Sequence, residues 1–135
     1  MNTVKSIGLG LLMCVLVVAG CTSPEPTIGG PAPTVSGIVT AGPTCPADPS
    51  PESSACAPRP VSGAIIVASD PNGTEITRAT TDTHGAFLLG ISSAGTVIIS
   101  GLPVAGLARP PAPVTIDVAP NGQTLVNLEY DTGIR

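Results

Sequence analysis

From Val35 onward the chain is a succession of short Val-, Ile-, Leu- and Thr-rich runs broken by Gly, Pro, Asn and Asp. Seven runs have the length and composition of strands: Val35–Thr40, Ala64–Ala68, Glu75–Thr81, Ala86–Ile91, Thr96–Ser100, Val114–Val118 and Leu125–Tyr130. The sixth alternates cleanly, which places Val114, Ile116 and Val118 inward and Thr115 and Asp117 in water. Pro120-Asn121-Gly122, between the last two runs, predicts a hairpin, because Asn-Gly readily takes the positive φ values of a type I′ turn. Asp70-Pro71-Asn72-Gly73 predicts a turn between the second and third runs. No window outside the N-terminal segment sustains a 3.6-residue period, and no crossover helix fits between consecutive runs, which excludes parallel α/β folds. The pattern predicts an all-β domain, a seven-stranded antiparallel β-sandwich.

Composition narrows the function. The 135 residues include 16 Gly and 16 Pro but only 10% charged and 1% aromatic positions. There is room for one domain. Five Lys and Arg against nine Asp and Glu leave no basic surface to neutralise phosphates, so nucleic acid is excluded as a partner. With no Trp, one Tyr (Tyr130) and one Phe (Phe87), stacking platforms for bases or sugars are missing as well.

The N-terminus carries an address. Lys5 precedes an uninterrupted apolar or small stretch, Ile7 to Ala19, which is too short to cross a bilayer and has the form of a secretory signal peptide. It closes on Val18-Ala19-Gly20-Cys21, which resembles the lipobox of bacterial lipoproteins. The resemblance implies cleavage before Cys21, diacylglycerol on its sulfur and acylation, palmitate for example, on the new amine. Two or three acyl chains would anchor stably where one would not. Cys14 leaves with the signal. The mature chain then has 115 residues, four Arg against nine acids and no lysine. The expected division is 1–20 signal peptide, 21–34 lipidated cysteine and Pro-rich spacer, and 35–135 β-sandwich. The spacer holds four prolines and almost nothing to bury.

A family resemblance follows from particular residues. Thr81-Asp82-Thr83-His84-Gly85-Ala86-Phe87 resembles the T-D-x-x-G-x-F signature of carboxypeptidase regulatory-like domains. Val35-Ser36-Gly37-Ile38-Val39 is similar to that family's opening V-x-G-x-V strand and Gly63-Ala64-Ile65-Ile66-Val67 to its second; at Gly95-Thr96-Val97-Ile98-Ile99, Val97 stands where the family carries an aromatic. The resemblance covers about residues 35–135 and implies a transthyretin-like or immunoglobulin-like sandwich, related to collagen-adhesin B-type repeats. Such domains are usually non-catalytic modules for adhesion, packing against neighbours or carbohydrate binding. Some collagen-adhesin B-type repeats carry an internal isopeptide bond from a core lysine. The only lysine here, Lys5, departs with the signal peptide, so the mature domain cannot form that bond.

Candidate chemistry is sparse. Cys45 and Cys56 are the mature cysteines besides Cys21, and in an exported chain they are expected to form a disulfide. His84, the only histidine, is expected to be a solvated turn residue, since no G-x-S-x-G elbow accompanies it and Gly90 to Gly95 has the wrong spacing. Asp131-Thr132-Gly133 matches the aspartic-protease tripeptide but lacks a second copy and a cleft, and Arg135 is expected to pair with Asp131. Asp70, Asn72, Glu75 and Asp82 could form an oxygen-rich Ca²⁺ site at one end of the sandwich, but their spacing fits no EF-type loop, and Asp and Asn are the standard turn formers. Asn72-Gly73-Thr74 fits a glycosylation acceptor pattern that is uncommon in bacteria. The apolar, Pro-stiffened loop Leu102–Pro113 either offers a contact surface or folds back over the open end of the core.

No catalytic residue, cofactor or metal ligand is expected. The chain reads as a non-catalytic, lipid-anchored protein on the extracytoplasmic side of a bacterial membrane, its sandwich an interaction or structural module with a protein or glycan partner. A cell-surface carbohydrate-binding module is the alternative, disfavoured by the lack of aromatics.

Overall fold

The computed structural model describes residues 30–46 and 56–135. The segments expected to be a signal peptide, a lipobox at Cys21 and most of a spacer lie outside those residues. Nine strand segments follow one another: β1 (Thr34–Gly42), β2 (Arg59–Pro60), β3 (Ile65–Ser69), β4 (Glu75–Thr80), β5 (Ala86–Gly90), β6 (Gly95–Gly101), β7 (Val114–Val118), β8 (Gln123–Leu125) and β9 (Leu128–Asp131). They form two sheets. One has β1 at its centre, with β5 and β2 antiparallel to it and β8 and β9 parallel to it. The other is antiparallel throughout, in the order β4-β3-β6-β7.

The core is built by alternation. Along β1, Val35, Gly37, Val39 and Ala41 point inward, and Ile38 points out. Ile66, Leu89, Ile91, Ile99 and Tyr130 are the largest side chains wholly withdrawn from water, with Phe87 almost so. Burying an aliphatic side chain of this size contributes about 1.5–3 kcal/mol. With one Phe and one Tyr, the domain is held by many modest aliphatic contributions rather than by a few aromatic anchors.

The all-β sandwich is as the sequence predicts, with two differences. The last run is not a hairpin partner of β7. In the turn after β7, the Gly122 N–H bonds the Ala119 carbonyl at 3.1 Å, and Asn121 has φ 57° while Gly122 has no positive φ. Pro second and a positive φ third is the type II pattern, not the type I′ that a tight hairpin needs. The chain therefore crosses to the other sheet and runs parallel to β1, breaking into β8 and β9 at Val126-Asn127. At that break the Asn127 side-chain oxygen accepts the Ile38 N–H at 3.1 Å. The second difference is β2, two exposed residues including a proline, which pair with Thr40 and Ala41.

The turn after β3 forms where Asp70-Pro71-Asn72-Gly73 predicts it, with Gly73 at φ 86°. The loop Leu102–Pro113 folds back over the core. Val104 and Leu107 pack against buried residues, and the Ala108 N–H bonds the Asp131 carbonyl at 2.8 Å. At its start, the Tyr130 hydroxyl donates to the Leu102 carbonyl at 2.6 Å. The sandwich also takes in Pro33, whose carbonyl accepts the Ile91 N–H at 2.8 Å.

Candidate functional site

The residues of the T-D-x-x-G-x-F stretch each have a place in the fold. Thr81 is buried at 4% exposure, and its hydroxyl donates to the Val61 carbonyl and accepts the Ala64 N–H. Asp82 accepts the backbone N–H groups of His84 at 2.8 Å and Ala86 at 2.9 Å through one oxygen. Those bonds, Ala86 first, hold its carboxyl below the usual range. Gly85 has φ 74°, and a Cβ there would sit 2.3 Å from the Val39 carbonyl oxygen, so both conformation and space require glycine. Phe87 fills the core opposite Gly37. His84 is exposed in the turn.

The other acids are used in the same way. Asp70 accepts the N–H groups of Thr74 and Asn72 at 2.8 and 2.9 Å, and the Thr74 bond leads in lowering its pKa. Glu75 forms a two-point contact with Arg78 at 2.6 Å, which lowers its pKa. Asp131 pairs with Arg135 at 3.1 Å and accepts the Gly133 N–H at 2.8 Å; Arg135 is the larger cause of its lowered pKa. These three acids and Asp82 thus have separate partners, and among the described residues no three His, Cys, Asp or Glu come together as a metal-binding group. The Asp131-Thr132-Gly133 tripeptide is the end of an edge strand, bridged to Arg109 of the folded-back loop.

Two surfaces remain. At one end of the sandwich the Cys45–Cys56 disulfide is formed, with the Cα atoms 5.3 Å apart. Beside it lies an open groove of about 350 Å³ lined by Ala41, Val61, Val104 and Leu107, with Arg59 and Thr132 at its polar side. The second surface is the outer face of the first sheet. Ser36 of β1 is flanked by Leu88 of β5 and Leu125 of β8, and Ile38 is the next outward residue. These three aliphatic side chains are 61%, 72% and 49% exposed. Sequence reasoning missed this face. The signal was present in Phe87-Leu88-Leu89 and Gly37-Ile38-Val39, where a half-buried strand should have a polar outward residue and has an apolar one.

No family model and no curated protein matches the chain. Solved structures do match in fold. The Bacillus anthracis TIE protein aligns with a TM-score of 0.53 at 15% identity over 75% of this chain and 16% of its own. The minor pilin GBS52 of Streptococcus agalactiae aligns with a TM-score of 0.56 at 12% identity over 76% of this chain and 45% of its own. The shaft pilin SpaA from Lactobacillus rhamnosus GG aligns with a TM-score of 0.53 at 11% identity over 74% of this chain and 50% of its own. The chain spans half or less of the length of each of these proteins. What it has in common with them is a fold, the β-sandwich found in bacterial pilins.

Proposed function

We propose that the protein is a non-catalytic, lipid-anchored component of a bacterial envelope whose β-sandwich serves as an interaction or structural module. The observation that carries this reading is the use of the polar side chains. Thr81, Asp82, Asp70 and Asp131 are spent on the domain's own turns and strand ends, and no nucleophile stands beside a base with an orienting partner among the described residues. Likeness in fold to pilin domains favours a structural role, and an exported chain with a disulfide fits an oxidising compartment. The spacer before β1 would hold the domain off the lipid anchor, with the disulfide-end groove available to a protein or glycan partner.

The test is cell fractionation with the Cys21→Ser change, combined with in-cell crosslinking of the unaltered protein. The expected outcome is that the unaltered chain fractionates with membranes and crosslinks to an envelope component, while the variant is soluble. A variant that stays with membranes contradicts the anchor, and covalent labelling by a serine-directed active-site probe contradicts the non-catalytic reading.

A further inference from the structure

Three surfaces of the domain expose chemistry that its own folding does not use: the disulfide-end groove, the edge of β7 and the outer face of the first sheet. The groove is shallow and nothing beside it defines an occupant. The β7 edge is only five residues long, bounded by Pro113 and by the turn at Pro120, and nothing beside it defines a partner strand. The outer face carries an inference.

We propose that Leu88, Leu125 and Ile38 rest on the lipid bilayer in which Cys21 is anchored, so that the sandwich lies on the membrane by one defined face. This rests on the anchor reading above. Polarity changes along the face. Around the patch, the outward residues Thr34, Ser36, Ala86, Gly90 and Gln123 carry no charge. Farther along β1, Thr40 stands beside the exposed Glu129. The part around Leu88 and Leu125 has no ion to strip of water, which would cost several kcal/mol for each charge; Asp82, whose carboxylate holds the Ala86 N–H beside Ile38, and Glu129 lie at the other end, which stays wet.

The patch is also at the right end of the domain. The chain enters the sheet at Thr34, whose N–H bonds the Gly122 carbonyl at 2.9 Å, one residue before β8. Leu88 and Leu125 flank Ser36, two residues into β1. The thirteen residue steps from Cys21 to Thr34 span at most about 45 Å, so an acylated Cys21 keeps the face within reach of the bilayer. Tethering turns a weak aliphatic contact into an intramolecular one, so three side chains suffice. They do not suffice for a second copy of the chain, since a stable protein interface needs about 800 Å² from each partner. Nor does the face hold an aromatic platform for a glycan.

The absence of tryptophan makes the test clean. Single-tryptophan variants Leu125→Trp, Leu88→Trp and, on the outer face of the other sheet, Thr115→Trp are prepared as the mature acylated protein. They are bound to phosphatidylethanolamine–phosphatidylglycerol vesicles with brominated acyl chains. Bromine is expected to reduce emission about twofold or more at positions 125 and 88 and to leave position 115 nearly unchanged. Equal quenching at 115 and 125, or none at 125 in protein that floats with the vesicles, overturns the proposal and leaves the anchor standing. Failure of the acylated protein to float overturns both. A dimer of the detergent-solubilised protein, measured by sedimentation, that disappears in Leu125→Ser overturns it in favour of a second copy.

Discussion

The Thr81 hydroxyl donates to the Val61 carbonyl at 2.6 Å and accepts the Ala64 N–H at 2.9 Å. One buried side chain thereby closes the loop that leads from β2 into β3. Thr81 is thus a fastener between segments about twenty residues apart, and its position just before Asp82 couples that loop to the next turn.

Thr81→Val keeps the shape and removes both bonds. A buried group left without a partner costs about 1–3 kcal/mol. Thermal or denaturant unfolding should show a loss in that range, with Thr81→Ser recovering most of it. Equal stability of the valine variant and the unaltered protein would show that the hydroxyl contributes nothing.

Gly37 and Gly73 are glycines for different reasons. A Cβ at Gly37 would lie 1.7 Å from the Val126 carbonyl oxygen, a backbone atom of the parallel partner strand. At Gly73 a Cβ meets nothing within 4 Å, and only φ 86° disfavours it. Gly37→Ala should therefore fail to accumulate as folded protein, whereas Gly73→Ala should lose only about 1–2 kcal/mol. Comparable soluble yields and melting temperatures for the two would contradict the close approach of β1 and the β8–β9 segment.

The fold was largely legible because period-two alternation records burial directly. Val114–Val118 is placed as the pattern predicts, and so are β1 and β3 to β6 within a residue or two. What was not legible is pairing. Asn121-Gly122 signals a turn, but whether the chain then returns beside β7 or crosses to the other sheet depends on which neighbour has a free edge. That is a property of the assembled sandwich. β2 was invisible because two exposed residues, one a proline, carry no periodicity. The open question of Leu102–Pro113 was decided by Val104 and Leu107, which have core to cover. Of the candidate site, the disulfide and the turn roles of Asp70 and Asp82 were readable from residue type. The aliphatic outer face was not, since Leu88 and Ile38 each stand next to buried residues in an unbroken apolar run, where residue type alone does not tell the exposed side chain from the core ones.

The pair Cys45–Cys56 lies outside the strands and closes a loop of 11 residue steps. On the chain-entropy account it contributes roughly 3 kcal/mol by restricting the unfolded chain. Cys45→Ser or Cys56→Ser should lower the melting temperature and leave the strand content by circular dichroism intact. Reduction of the unaltered protein should produce the same shift. A melting temperature unchanged without reductant would mean the bond is not formed in solution.

Acid should weaken the turns in a predictable direction. Asp70, Asp82 and Asp131 all have lowered pKa values, held by the Thr74 N–H, the Ala86 N–H and Arg135 respectively. A carboxyl with a folded pKa below its unfolded one contributes stability that is complete above the unfolded value and is lost as pH falls through the folded value. Stability should be flat from neutral pH to about 5 and should fall below about 4. Asp82→Asn, which keeps an acceptor for the turn, should fold and show a shallower acid limb; Asp82→Ala should be less stable at neutral pH as well. A melting temperature that rises on acidification would contradict these assignments.

The anchor at Cys21, on which the functional account turns, is tested most directly by the intact mass of the protein purified from membranes. The account predicts a chain that begins at Cys21, carries a diacylglyceryl group and its acyl chains, and is about 2 Da light for one disulfide. It predicts no further loss of about 17 or 18 Da, the ammonia or water that an internal isopeptide bond would release. A mature chain beginning elsewhere, or an unmodified Cys21, would contradict it.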